Sequence, residues 1–133
     1  MNDKELNERL TTDLLSLPNQ IGAIESDLAE LRTELRQAKT ACEDAEQAAL
    51  INAVIDGKNE TTRKQQSEAA ISKSQEVRGA RQTVVGLEAD IAGKEVQAKS
   101  LARQWQSAKA LTELQAARIN LMARYQPQPK KAS

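Results

Sequence analysis

The chain has no phenylalanine and no histidine, one tryptophan, one tyrosine and one cysteine among 133 residues. Aromatic side chains bury the most area per residue, and a compact globular core of this length normally uses several. Their scarcity argues against a globule and for long helices packed through narrow seams. The dominance of Ala, Leu, Gln, Glu, Lys and Arg agrees. Without histidine, general acid–base catalysis would fall to a buried carboxylate or lysine, and no carboxylate sits at a predicted core position. The single Cys42 excludes an internal disulfide and suits a reducing, cytoplasmic setting, in the host cell if the chain is phage-encoded. No apolar run approaches the length needed to span a bilayer, and the opening MNDKELNERL has no apolar core of the kind a secretory leader needs.

Net charge is also absent, since 19 basic and 19 acidic residues cancel. The balance hides an asymmetry: residues 1–55 carry five Lys/Arg and eleven Asp/Glu, and residues 56–133 carry fourteen and eight. Two halves of opposite sign attract when folded together, so part of this charge is expected to pair across the fold. A basic outer face on the second half, meeting an acidic partner or nucleic acid, is the competing reading.

What the chain does have is heptads. Leu6, Leu10, Leu14 and Leu17 form one stripe on a short helix, and Pro18 predicts its end and a hinge. Ile21, Ile24, Leu28, Leu31, Leu35, Ala38, Cys42, Ala45 and Ala49 then step by three and four without a break. Charged residues such as Glu25, Arg32 and Glu46 flank them, which is coiled-coil patterning. A second run follows: Val77, Ala80, Val84, Leu87, Ile91, Ala98, Leu101, Trp105 and Ala108. The reading is all-α: a long antiparallel helical hairpin over 1–126, with helices near 3–17, 20–56 and 61–124. Residue 56−k should lie opposite 62+k, and 127–133 should form a disordered tail.

The stretch VIDGKNETTRKQQ lies between the two runs. Gly57-Lys58 near hydroxyl residues suggests a phosphate loop, but that motif needs an earlier glycine, a Ser or Thr after the lysine and a preceding strand. None is present. The stretch reads as a corner, with Gly57 ending one helix in the left-handed conformation and Asn59 or Thr61 capping the next.

Three features lie outside the seam. Gly79, Gly86 and Gly93 are seven residues apart, and Ser72, Ser100 and Ser107 continue the row. A mid-helix glycine costs about 0.8–1.0 kcal/mol relative to alanine, so the row suggests a helix-contact stripe, against the plain alternative of a tolerant solvent face. Leu114, Ile119, Leu121 and Met122 put apolar side chains on more than one face, suggesting an oligomer or partner surface unless the N-terminal helix covers them. Basic residues gather at the corner (Lys58, Arg63, Lys64, Lys73, Arg78, Arg81) and at the end (Arg118, Arg124, Lys130, Lys131). Either group could hold phosphates weakly, but Glu60, Glu68 and Glu76 interleave the first, and stacking platforms are missing. Cys42 and Trp105 read as core residues. No Asp, Glu and Cys grouping has metal-ligand spacing, and no cofactor or enzyme activity is expected.

With its heptad arm, its corner Gly57-Lys58-Asn59 followed by Arg63-Lys64, and a helix starting at once, the chain resembles small helical proteins of tailed bacteriophages over about Leu14 to Leu121. The resemblance implies an accessory factor of phage recombination or replication, binding a recombinase or single-strand-binding protein and, through the basic corner, DNA. The alternative class is a pure protein-interaction module, such as a virion scaffold or an inhibitor of a host defence complex. A homo-oligomer is expected in either case.

Overall fold

The computed structural model describes residues 2–125, so the expected tail, with Lys130 and Lys131, lies outside the described residues. The described chain is all-α: α1 (Asp3–Ile51), α2 (Glu60–Lys73) and α3 (Gln75–Tyr125). Two compact units divide it, one containing residues 2–24 with 97–125, the other residues 25–96. In each unit α1 and α3 lie side by side and antiparallel, the arrangement of a helical hairpin. The first unit shows this through Asp3 with Arg118 (3.3 Å) and Asn7 with Gln115 (3.5 Å). The second shows it through Asp27 with Lys94 (3.5 Å) and Glu46 with Arg81 (3.0 Å).

The heptad positions face inward as their spacing requires. Leu10, Leu17, Ile24 and Ala108 are buried in the first unit, and Leu28, Val77 and Ile91 in the second. Leu31, Leu35, Ala38, Cys42, Ala45, Val84 and Leu87 are half-buried. Among the described residues no polar or charged residue is buried, so the interior of each unit is a narrow apolar strip. Three of the four ion pairs join an acid of α1 to a base of α3. That pairing accounts for part of the charge asymmetry between the halves, although exposed pairs contribute only about 0–1 kcal/mol each.

The helix ends depart from the sequence reading in four places. Pro18 does not end a helix: α1 runs through it. Proline has no N–H to give the Leu14 carbonyl, and Pro18 itself is exposed. Leu17 and Ile24, each under a tenth exposed, hold the next turn in register. α1 stops at Ile51, not near residue 56, and Asn52 to Asn59 take no regular structure.

Asn52 and Ala53 still bond back to the Ala48 and Leu50 carbonyls (3.2 Å each), and the six residues 54–59, at about 3.3 Å each when extended, match the roughly 21 Å of the 14-residue α2. Asp56 and Gly57 thereby come level with Gln66, whose Oε1 accepts from both backbone N–H groups (3.1 and 2.9 Å). Its Nε2 donates to Asp56 Oδ1 (2.9 Å). The extended connection also moves the helix pairing: Glu46 meets Arg81, whereas simple folding at the corner would place it near residue 72.

Gly57 is required here for a different reason from the one its position suggests. No glycine has positive φ, but a Cβ on Gly57 would sit 2.8 Å from Thr62 Cγ2 and 2.9 Å from the Arg63 backbone nitrogen. Asn59 caps α2 as expected, accepting from the Thr62 N–H at 2.8 Å. The expected unbroken helix from 61 to 124 is interrupted at Ser74, which is extended (φ −71, ψ 121). Ser74 ends α2 by donating its N–H to the Ile71 carbonyl (3.2 Å). It also starts α3, its hydroxyl accepting from the Val77 N–H (3.3 Å).

Replacing Pro18 with alanine should therefore stabilise the protein by about 1–3 kcal/mol, read as a raised midpoint in thermal melting; an unchanged or lowered midpoint would restore the hinge. Gln66→Ala should cost about 1 kcal/mol and speed hydrogen exchange at Asp56 and Gly57, while leaving amides near Leu28 and Ile91 protected.

Candidate interaction surfaces

The corner brings the basic residues into the second unit without making one uniform patch. Lys58 lies in the connection, Arg63 and Lys64 in the first turns of α2, and all three are exposed. Among the described residues none of the three forms an ion pair. Lys73 ends α2 and its carbonyl accepts from Arg78 Nη2 at 3.5 Å, so Arg78 is turned back along the chain. Arg81 is spent on Glu46 at 3.0 Å. Asp56, Glu60, Glu68 and Glu76 stand between the bases. The unit as a whole has ten Lys and Arg against fourteen Asp and Glu, a net −4. Of the six corner bases only Arg81 is ion-paired among the described residues, so a phosphate backbone meets five cations, Lys58, Arg63, Lys64, Lys73 and Arg78, interleaved with carboxylates in a unit of its own sign.

The glycine stripe is open. A Cβ added at Gly79, Gly86 or Gly93 would meet nothing within 4 Å, so among the described residues none uses these glycines for a close approach. Beside them on α3 lie Val85 and Val96, 66% and 69% exposed, and the exposed Ala89 and Ala92. Their spacing of four, three and four repeats the heptad step on the outer side of the helix. The sequence reading noticed the glycines but not this second apolar row, which was legible in the same spacing.

In the first unit the row through Gly79 and Ser100 continues, seven residues at a time, to Ser107, Leu114 and Leu121. Leu114 is 66% exposed, and Ile119, Leu121 and Met122 are all more than half exposed. The start of α1 does not cover them: Asp3 is level with Arg118, and α3 continues for seven more residues to Tyr125. Trp105 is half-buried, with Lys109 Nζ 5.5 Å from its ring centre.

An open groove in the second unit is lined by Lys39, Cys42, Glu43, Arg81, Val84 and Val85. Cys42 is half-buried there, and its Sγ lies 3.8 Å from Glu46 Oε1. Among the described residues no group of three or more His, Cys, Asp or Glu could hold a metal ion, and no helix is long and apolar enough to cross a membrane. No protein-family model matches the chain, and no curated protein or solved structure matches it either.

Because Gly79, Gly86 and Gly93 face open space, the triple change to alanine should raise helix stability by about 2–3 kcal/mol, from 0.8–1.0 kcal/mol per position. Denaturant melting followed by circular dichroism measures it; destabilisation would mean that an internal contact depends on the missing side chains.

Proposed function

We propose that the protein is a non-enzymatic docking module: a helical hairpin whose inner faces hold it together and whose outer α3 faces receive other protein chains. The observation that carries this reading is the apolar surface left over after the hairpin has formed. Val85 and Val96 in one unit, and Leu114, Ile119, Leu121 and Met122 in the other, are more than half exposed. A hairpin needs only one apolar side on each helix, and contiguous exposed apolar surface marks an interaction site. The glycines beside Val85 and Val96 suit close approach of another helix.

The accessory role in phage recombination or replication is the second reading, favoured by the exposed trio Lys58, Arg63 and Lys64. It adds DNA to the protein partner. Against it stand the interleaved carboxylates and the ion pair that occupies Arg81.

Light scattering of the protein with and without single-stranded DNA, at low and physiological salt, separates the two. The docking module keeps its mass in both salts. A DNA-dependent shift at low salt, lost when Lys58, Arg63 and Lys64 are changed to glutamate, would replace it with the DNA-accessory reading, because phosphate contacts by these residues are salt-sensitive.

A further inference from the structure

Leu111, Leu114, Met122 and Tyr125 are placed symmetrically about Arg118, seven and four residues to either side. At 100° per residue these five positions fall within an arc of about 80° on α3. The arc lies roughly a quarter turn from the inner face marked by Ala108, Thr112 and Gln115. All four apolar side chains are exposed, from 43% at Leu111 to 80% at Tyr125. An apolar pattern that reads the same in both directions is what a twofold antiparallel helix pair requires, since each copy presents the same patch to the other.

We infer that the C-terminal segment of α3 is an interface with a second copy of this chain, packed antiparallel about a twofold axis near Arg118. The inference rests on the docking reading and names the occupant of one of its surfaces. In this pair Leu111 lies level with Tyr125 of the other copy, and Leu114 with Met122. Residues 119–125 of one copy lie level with 111–117 of the other, beside the start of the other copy's α1. That helix covers Ile119, which its own α1 begins too late to reach.

The charge on this face is compatible with such a pair. Arg118 is the one charged residue among the five central positions, and Asp3 holds it at 3.3 Å. Two arginines at the axis therefore arrive with two carboxylates, and no charge is buried alone. The area is also sufficient. With Ile119 and Leu121 included, six large side chains are 43–80% exposed. They leave on the order of 700 Å² uncovered per copy, close to the ~800 Å² per partner of a standard interface. Residues 126–133 (QPQPKKAS) contain no Leu, Ile, Val, Met or aromatic residue with which to pack on this face.

Sedimentation equilibrium on the full chain tests the assembly, and disulfide trapping tests its register. Wild type should be a dimer, and the double variant Leu114→Lys with Met122→Lys should be a monomer with unchanged helical circular dichroism. In a Cys42→Ser background, Leu114→Cys with Met122→Cys should give a covalent dimer on mild oxidation. Leu114→Cys alone should not, because the two Leu114 positions are then about 12 Å apart along the axis, beyond the ~7 Å limit for a disulfide. A monomeric wild type, or a dimer indifferent to the two lysines, overturns the inference. So does a dimer that cross-links through Cys at 114 alone, which is a parallel pair. None of these outcomes depends on DNA, so the docking reading stands or falls on its own experiment.

Discussion

In each unit a narrow apolar strip of two alternating heptad positions holds α1 against α3, and every other feature has to accommodate it. The strip contains Leu, Ile, Val and Ala but no polar group, so it has no directional contact to fix its register. Register falls instead to the places where the strip ends. At the corner, the Gln66 side chain, the Asn59 cap and the crowding at Gly57 set how far residues 52–59 extend. That length determines which turn of α3 lies beside which turn of α1 within the unit formed by residues 25–96. The exposed ion pairs across the helices add little energy, but their direction agrees with the register so set.

The same strip explains what the chain leaves open. Helices have sides all round, and a two-helix hairpin uses about a third of each. On α3 the remaining sides are not uniformly charged. They carry a valine and alanine row beside three glycines, and further along a leucine-rich segment that outruns the start of α1. The basic residues, by contrast, are partly consumed by the fold itself: Arg81 by Glu46, Arg118 by Asp3, Lys94 by Asp27. A sequence count of positive charge therefore overstates what is free to meet a phosphate.

The period of the apolar residues was legible from sequence and identified nearly every inward-facing position, because burial on a helix pair leaves no other arrangement. What was not legible were the helix ends. Pro18 has a strong local preference for ending a helix, and the burial of Leu17 and Ile24 around it overrides that preference. Val54 and Ile55 extend the apolar run of α1 in the sequence, yet the chain has already left the helix at Asn52. Gly57 was recognised as necessary, but the cause is a neighbour 2.8 Å away and not a left-handed backbone. Ser74 followed by Glu76 has the composition of a cap, and it was masked by the absence of proline or paired glycines. Gln66 had no signal at all, since its role depends on a segment ten residues earlier. The surplus apolar face at Leu114 to Met122 was visible, whereas its exposure depended on where α1 begins.

The one-residue break at Ser74 has a consequence for how the protein moves. α2 buries no side chain, and it is tied to the rest by the Gln66 clasp and by Ser74, while Val77 immediately beyond is fully enclosed. Of the apolar side chains of α2 only Ala70 and Ile71 are half-buried, so opening the clasp exposes little apolar surface. Hence α2 and the connection before it can melt and reform as a small cooperative unit, with the strip between α1 and α3 intact beyond Val77. The end of the second unit is thus a locally unstable tip on a more stable stem, and whatever first touches Lys58, Arg63 and Lys64 meets a segment able to change shape at little cost.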